Sequence, residues 1–437
     1  MFAYYLDLAL RSLRRSPGLT ALMVLTIAFG VAASMTAWSV LRAVSGDPIP
    51  WKSAQLYVPQ IDMWGPDAKQ GGPGSDNQLP DALDYNDAVA LMRDHRAKLQ
   101  SAMYPIGPSV VPADTAKHPI DTRGHAVFSE FFPMVDVPFK YGSGWNAVDD
   151  EHRAQIAVIS SKLNAKVFDG ANSVGKTLNI DGRDYRVVGV IGDWNPQPVY
   201  YDIANTGGFT DDGEDLFLPF TTAIAASMPN DGSTNCQTVP EAGFEGLQRS
   251  SCVWIAYMVQ LDDAAAADAY RNYLEGFART RYPSWAPKVG LRNLMGWLDH
   301  EHVVPSDTKV SLLIALGLLV VCLVNTAGLL LAKFLRRSSE IGVRRALGAP
   351  RMAIYAQFLT EGAVIGLAGG VLGVLLTGIG VASVELVLPR EIAKLAHLDV
   401  SLLATTLAVS VLASLLAALY PTFRAARVVP AWQLKSN

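Results

Sequence analysis

The sequence predicts a membrane protein of the α+β class: four transmembrane helices, with a large mixed α/β extracytoplasmic domain inserted between helices 1 and 2. Three observations carry this. Four stretches stay free of charge for long enough to span a bilayer, which takes about 20 residues. Residues 45–308 separate the first stretch from the second, and roughly 260 residues make a domain rather than a loop. Lys and Arg gather at alternate ends of the stretches, as cytoplasmic flanks do.

The four stretches are "SPGLTALMVLTIAFGVAASMTAWSVL" (Ser16–Leu41), "VSLLIALGLLVVCLVNTAGLLLA" (Val310–Ala332), "GAVIGLAGGVLGVLLTGIGVASV" (Gly362–Val384) and "VSLLATTLAVSVLASLLAALYPTF" (Val400–Phe423). Buried helices of a soluble core rarely stay charge-free for so long. Basic residues Arg11, Arg14 and Arg15 precede the first stretch as in a secretory signal. Its apolar run exceeds the 7–15 residues of a signal core, so it reads as a retained anchor. The organisation expected is an amphipathic segment 1–15, helix 1 over 16–44, the extracytoplasmic domain over 45–308 and helix 2 over 309–333. A cytoplasmic helical loop follows over 334–352, then helix 3 over 353–387, a short outer loop 388–399, helix 4 over 400–423 and a tail 424–437.

Orientation follows from the flanking charges. Arg11, Arg14 and Arg15 precede helix 1. Lys333, Arg336, Arg337, Arg344, Arg345 and Arg351 lie between helices 2 and 3, and Arg424, Arg427 and Lys435 follow helix 4. These regions are expected in the cytoplasm with both termini. The loop with Arg390 and Lys394 and the large domain are expected outside.

Composition agrees with a membrane chain. Of 437 residues 50% are apolar and 17% charged, against about 25% charged in soluble proteins. A net charge of -4 points away from nucleic acid. Seven His and three Cys, with no C-x-x-C or H-E-x-x-H, suggest no metal site. No Ser/His/Asp or paired-carboxylate spacing nominates a catalytic residue.

Within the outer domain, Tyr57–Asp81 is rich in Pro, Gly, Gln and Asp and reads as irregular. Asp84–Leu99 and Ala264–Arg281 have helical spacing. "QIAVIS" reads as a strand, "SKLNAKVF" as a short helix, and "KTLNI" and "DYRVVGVIG" as two arms of a hairpin turned at Asp181-Gly182. Between that helix and that hairpin stands "GANSVGKT" (Gly170–Thr177), which fits the phosphate-binding pattern G-x-x-x-x-G-K-[ST] at every position. A phosphate loop needs a strand before it and a helix after it, so that the helix N-terminus meets the phosphates. Here the order is reversed, on the side of the membrane where ATP is scarce, and Gly170–Thr177 reads as a decoy. Cys236 and Cys252 share the outer domain, where an oxidising compartment favours their pairing as a disulfide; Cys322 lies in helix 2.

The loop "KFLRRSSEIGVRRALGAPRMAIYAQFLTEG" (Lys333–Gly362) is the most informative stretch. Glu340 and Arg344 are four apart with the acid first, a favourable helical order. Gly348 followed by Pro350 stops the helix. In the third membrane stretch Gly362, Gly366 and Gly370 recur every four residues, as do Gly369 and Gly373, giving faces that let helices approach closely. Glu361 and Glu385 bracket that stretch and read as interfacial.

The order E-I-G-V-R-R-A-L-G-A resembles the signature of FtsX/MacB-type permeases of ABC transporters, E-I-G-[IV]-R-x-A-x-G-A. "LRRSPGLTALMVLTIAFGVAAS" is similar to that family's first span. "VFSEFFPMVDVPFKYGSGW" and "AVISSKLNAKVFDGANSVGKTLNIDGRDYRVVGVI" resemble its periplasmic core domain, and "YPTFRAARVVPAWQL" its ending. Arg345 and Trp432 depart from the commonest family residues. Residues 194–257 align with nothing.

The resemblance implies a permease subunit without enzymatic activity of its own. Its coupling helix, Glu340, Ile341, Gly342, Val343, Arg344, Arg345, Ala346, Leu347 and Gly348, would dock on a cytoplasmic ABC ATPase dimer that binds ATP and Mg²⁺. Glu340, Arg344 and Arg345 would make polar contacts, and Ile341, Val343 and Leu347 apolar ones. About fifteen residues precede the first stretch and no LSGGQ-like sequence occurs, so the ATPase is expected on another chain and no cofactor on this one. The further partners implied are a second permease chain, identical or related, a periplasmic adaptor with an outer-membrane channel, and membrane lipid. ATP-driven closure would move the outer domains by mechanotransmission in the bacterial inner membrane, for export of a substrate. The alternative is an FtsX-like signal relay that controls a periplasmic hydrolase or sensor without transport.

Overall fold

The computed structural model describes residues 2–65, 79–113, 117–210, 213–386 and 399–426. They form two units. One is helical, Met1–Gly46 with Val304–Asn437; the other, Asp47–Val303, is built on a sheet. The outer-loop residues Arg390 and Lys394 and the tail residues Arg427, Trp432 and Lys435 lie outside the described residues, as does the side chain of Glu385.

The helical unit comprises α1 (Phe2–Arg15), α2 (Pro17–Ser45), α3 (Ser306–Arg336), α4 (Ser338–Ala346), α5 (Arg351–Ser383) and α6 (Val400–Ala426). Helices α2, α3, α5 and most of α6 are long and apolar enough to cross a membrane. Pro17 stands at the first position of α2, where its missing N–H costs nothing, and so sets the break from α1. Helix α5 is central and packs against α1, α2 and α6. Its glycines serve two neighbours. A Cβ on Gly362 would meet Ala418 at 2.9 Å, and one on Gly366 would meet Ser414 at 2.8 Å, both on α6; Gly370 lies against Leu407 and Ser410. Gly369 and Gly373 face Ile27 and Ala28 of α2. The close approach lets Ser410 and Ser414 donate hydrogen bonds to the Gly366 and Gly362 carbonyls, at 2.7 and 2.5 Å.

In the other unit the described strands form one sheet: β1 (Leu56–Ile61), β2 (Leu99–Ile106), β3 (Ser109–Val111), β4 (Ile120–Asp121), β5 (Gly124–Val127), β6 (Phe139–Gly142), β7 (Ile156–Ser160), β8 (Thr177–Ile180), β9 (Arg183–Ile191), β10 (Leu216–Pro219), β11 (Ala256–Gln260) and β12 (Val289–Asn293). The order is β12-β1-β11-β2-β5-β10-β7-β9-β8-β3-β4, with β6 on β9. Only β10 with β5 and β7 with β9 run parallel among these pairs. Central strands are apolar on both faces because both are covered. On β10, Leu216 and Leu218 join one core and Phe217 the other; on β7, Ala157 and Ile159 oppose Val158. Helix Ala264–Arg281 covers the first face through Tyr270 and Leu274. Helix Leu294–His300 covers the second through Trp297.

Two readings need correction. The stretch taken as irregular from Tyr57 begins with strand β1. Pro59 argues against an inner strand, but the ladder to β11 ends at Tyr57, so Pro59 owes that neighbour no N–H. The helical spacing from Asp84 ends early: helix Tyr85–Asp94 stops at left-handed His95, and Leu99 opens β2. Residues 194–257 hold β10, three short helices and the start of β11.

Candidate functional site

The candidate site is the end of the helical unit where α3, α4 and α5 meet. Helix α4 ends in a glycine cap. Gly348 takes φ +96°, its N–H donates to the Arg345 carbonyl, and Ala349 N–H reaches back to Arg344. That paired closure needs a left-handed residue, hence glycine. Pro350 then opens α5. The turn leaves an apolar tip in the open: Leu347 is 83% exposed, Met352 75% and Val343 53%.

The other side of α4 faces inward. Ile341 is buried in one cluster with Phe334, Ile354 and Phe358, and Gly342 is buried beside it. Ile341 thus packs within the chain, while Val343 and Leu347 stand on the exposed side of the helix. Residues two apart lie on opposite sides of a helix, whereas Val343 and Leu347 are four apart and do share one.

The polar residues of α4 bond within the chain. The Glu340 carboxylate lies 3.3 Å from Arg344, 3.3 Å from Arg337 and 3.9 Å from Arg15. Arg344 also donates to Gln357 of α5 at 2.9 Å. These side chains are partly exposed, and each such pair contributes at most about 1 kcal/mol. Together they fix the rotation of α4 on its neighbours.

Beneath them lies a second, buried cluster. Glu361 of α5 has no exposed surface and accepts a hydrogen bond from Lys333 of α3, which is 4% exposed. Its other oxygen accepts from the Ser12 hydroxyl of α1 at 2.8 Å. Ser12 in turn accepts from Arg337. Phe334 and Phe358 pack beside the pair with ring centroids 4.0 Å apart. Glu361, read from the sequence as interfacial, is enclosed by protein. Removing one partner of such a pair costs about 3–5 kcal/mol, because the other charge stays buried and uncompensated.

In the sheet unit, "GANSVGKT" follows helix Ser161–Phe168 and leads into β8. Five of its N–H groups are bonded inside the fold: Gly170 to Asn164, Ala171 to Phe168, Val174 to the Asn172 side chain, Gly175 to Val187 and Lys176 to Ser173. Asn164 ties the turn by donating to the Ala171 carbonyl and accepting from Ser173. The Lys176 ammonium sits over the Phe168 ring at 5.2 Å. Cys236 and Cys252 are joined, with S–S 1.98 Å and Cα atoms 4.2 Å apart, while Cys322 is a buried thiol. Among the described residues no group of three His, Cys, Asp or Glu is placed to hold a metal ion.

Sequence reasoning missed a buried triad in this unit. His125 of β5 lies 2.9 Å from Asp202 through Nε2 and 3.0 Å from Glu214 through Nδ1. Burial alone would lower its pKa; Glu214 and Asp202 outweigh that and push it up to about 10. It also missed Ser12, Gln357 and the burial of Lys333 and Glu361. A charged residue at the edge of an apolar run is ordinarily interfacial, so nothing in the local pattern marks these two as partners.

Four membrane-length helices with a sheet domain between the first and second give the architecture of a membrane protein with a large inserted domain. The profile of the MacB-like periplasmic core domain matches residues 20–277, and that of the FtsX-like permease C-terminal region matches residues 312–430. The chain belongs to the MacB/FtsX-like ABC permease family. It is 24% identical over 386 residues to the macrolide export ATP-binding/permease protein MacB of Salmonella typhi, covering 85% of this chain and 51% of that protein. It is 25% identical over 389 residues to the MacB of Azoarcus sp. (strain BH72), covering 86% and 51%. The chain thus spans about half the length of these relatives, and the match covers the permease part. Among solved structures, the periplasmic region of MacB from Actinobacillus actinomycetemcomitans aligns at TM-score 0.36 and 14% identity, covering 56% of this chain and 92% of that one. The extracellular domain of the noncanonic ABC-type transporter YknZ from Gram-positive bacteria aligns at TM-score 0.35 and 12% identity, covering 54% and 99%. The chain thus joins four membrane-length helices to a domain that matches the MacB-like periplasmic core.

Proposed function

We propose that this permease subunit couples ATP hydrolysis by a separate cytoplasmic ATPase dimer to movement of its periplasmic domain, for export of a substrate from the periplasm or membrane. The observation that carries the reading is the exposed tip of Val343, Leu347 and Met352. An apolar surface at the end of a rigidly tied helix suits insertion into a groove on a partner, with large side chains as anchors. The termini and α4 are assigned to the cytoplasm by the basic residues that flank them. ATP and Mg²⁺ are held by the partner, and a second permease chain completes the unit. A periplasmic adaptor and outer-membrane channel fit the export named for the relatives. "GANSVGKT" takes no part, since five of its N–H groups are already bonded inside the fold and a strand, not a helix, follows it.

The ionic groups divide into two roles. Glu340 and Arg344 hold α4 in place; Val343, Leu347 and the flank at Arg345 meet the ATPase. Affinity purification of tagged chain from native membranes, followed by mass spectrometry and ATPase assay in proteoliposomes, tests this. Leu347→Asp is expected to lose the co-purifying ATPase and its stimulated activity while inserting normally. Full retention of both would overturn the docking assignment.

A further inference from the structure

We infer that Glu361 is a positioning residue: a buried joint that binds α1, α3 and α5 into one mechanical element behind the coupling helix. The inference deepens the proposed function and rests on it for the direction of the work done.

The joint stands where the transmission has to pass. Helix α4 starts at Ser338, with a single residue between it and the end of α3 at Arg336. One turn before that end, Lys333 is clamped to Glu361 of α5. The intervening residue, Arg337, reaches Ser12 of α1, and Ser12 returns to the same carboxylate. So one carboxylate receives both chain segments that lead to the sheet unit. Helix α3 enters that unit directly at Val303, and α1 continues through Ser16 into α2, which enters it at Asp47. A displacement of α4 therefore reaches both covalent connections through a single anchored point.

The chemistry favours a joint over a passive filler. A fully buried carboxylate is costly to leave without its partners, so the cluster resists sliding of α3 or α1 along α5. Apolar contacts, being non-directional, would permit a shift by one side chain. An ion pair that also uses a hydroxyl fixes register and angle together. Both lone Glu361 oxygens are engaged, one by each neighbour, so neither helix can leave without exposing a buried acceptor.

The test uses the full chain in lipid nanodiscs, with Cys322→Ala to remove the free thiol. Spin labels at Leu10→Cys with Leu367→Cys report α1 against α5, and Leu335→Cys with Leu367→Cys report α3 against α5. Narrow distance distributions are expected, broadened in Glu361→Gln and in Ser12→Ala, and narrowed again by the exchange Lys333→Glu with Glu361→Lys. In the complex purified with its native ATPase, a label at Val239→Cys in the sheet unit is expected to shift on adding ATP and vanadate. Glu361→Gln should keep the ATPase and its hydrolysis yet lose that shift, and the exchange should restore it. Unchanged distributions in Glu361→Gln, or a preserved shift at Val239, would overturn the joint. If Glu361→Gln does not fold, the exchange variant decides: restored folding with a restored shift supports the joint, and restored folding without the shift overturns it. If instead Leu347→Asp keeps the ATPase, the docking reading fails, and the label distances within the helical unit still decide the joint.

Discussion

Lys333 and Glu361 form an ion pair enclosed by three helices, α1, α3 and α5, with Ser12 on the second carboxylate oxygen. Burial makes the pair unforgiving of single changes. Lys333→Met strands the carboxylate and is expected to lower stability by about 3–5 kcal/mol. Adding Glu361→Leu removes the stranded charge and should recover most of the loss, since an apolar pair of similar volume is often neutral. Thermal unfolding in detergent, with the yield of monodisperse protein, measures both. Equal destabilisation by the single and double variants would refute the account.

The glycine face of α5 predicts position-dependent crowding. A side chain at Gly366 would meet Ser414 and the Val411 backbone below 3 Å, whereas Gly317 on α3 has nothing within 4 Å. Gly366→Leu should cost about 1–3 kcal/mol or more, and Gly317→Leu should leave the unfolding temperature near that of the parent. A comparable loss at both sites would mean that the α5–α6 contact is not the constraint.

The triad at His125 predicts a pH dependence with a defined sign. An unfolded histidine titrates near 6.5, and the folded group is pushed up to about 10. Its contribution is fully present below the lower value and is lost as pH rises through the upper one. The unfolding temperature of the sheet unit should therefore fall between pH 7 and 10 in full-length protein, read by tryptophan fluorescence. His125→Gln should flatten that slope and lower the value at pH 7, at about 2–4 °C per kcal/mol for a unit of this size. A His125→Gln profile parallel to the parent's would contradict the assignment.

The Cys236–Cys252 bond closes a short loop over a sequence separation of 16. Closing such a loop stabilises by about 3 kcal/mol through the unfolded chain. Reductant should lower the unfolding temperature of the sheet unit but leave the helical unit, whose Cys322 is unpaired, unaffected. Alkylation of unreduced protein at both outer cysteines would show that the bond is absent.

Much of the architecture was legible locally. The four spans follow from charge-free length, the turn at Asp181-Gly182 from its dipeptide, and the stop of α4 from Gly348 and Pro350. "GANSVGKT" was legible as a helix-to-strand turn because the elements on either side came in the wrong order for phosphate. Less legible was the division of labour within α4. The motif groups Glu340, Ile341 and Arg344 with Val343 and Leu347, but helical geometry turns the first three toward the chain's own helices. Strand β1 was hidden by Pro59, whose fault as a strand residue depends on whether a neighbour needs its N–H.

By itself, then, the amino-acid sequence determined the class, the membrane-length helices and the position of the inserted domain, because these rest on short-range properties: apolar length, charge placement and turn chemistry. Tertiary structure alone decided that Ser12, Lys333 and Glu361 meet, that His125 lies between Asp202 and Glu214, and that the α5 glycines serve α2 on one side and α6 on the other. Those partners are far apart along the chain, and what brings them together is packing, in which a buried charge or a missing side chain acquires meaning only from the surface set against it.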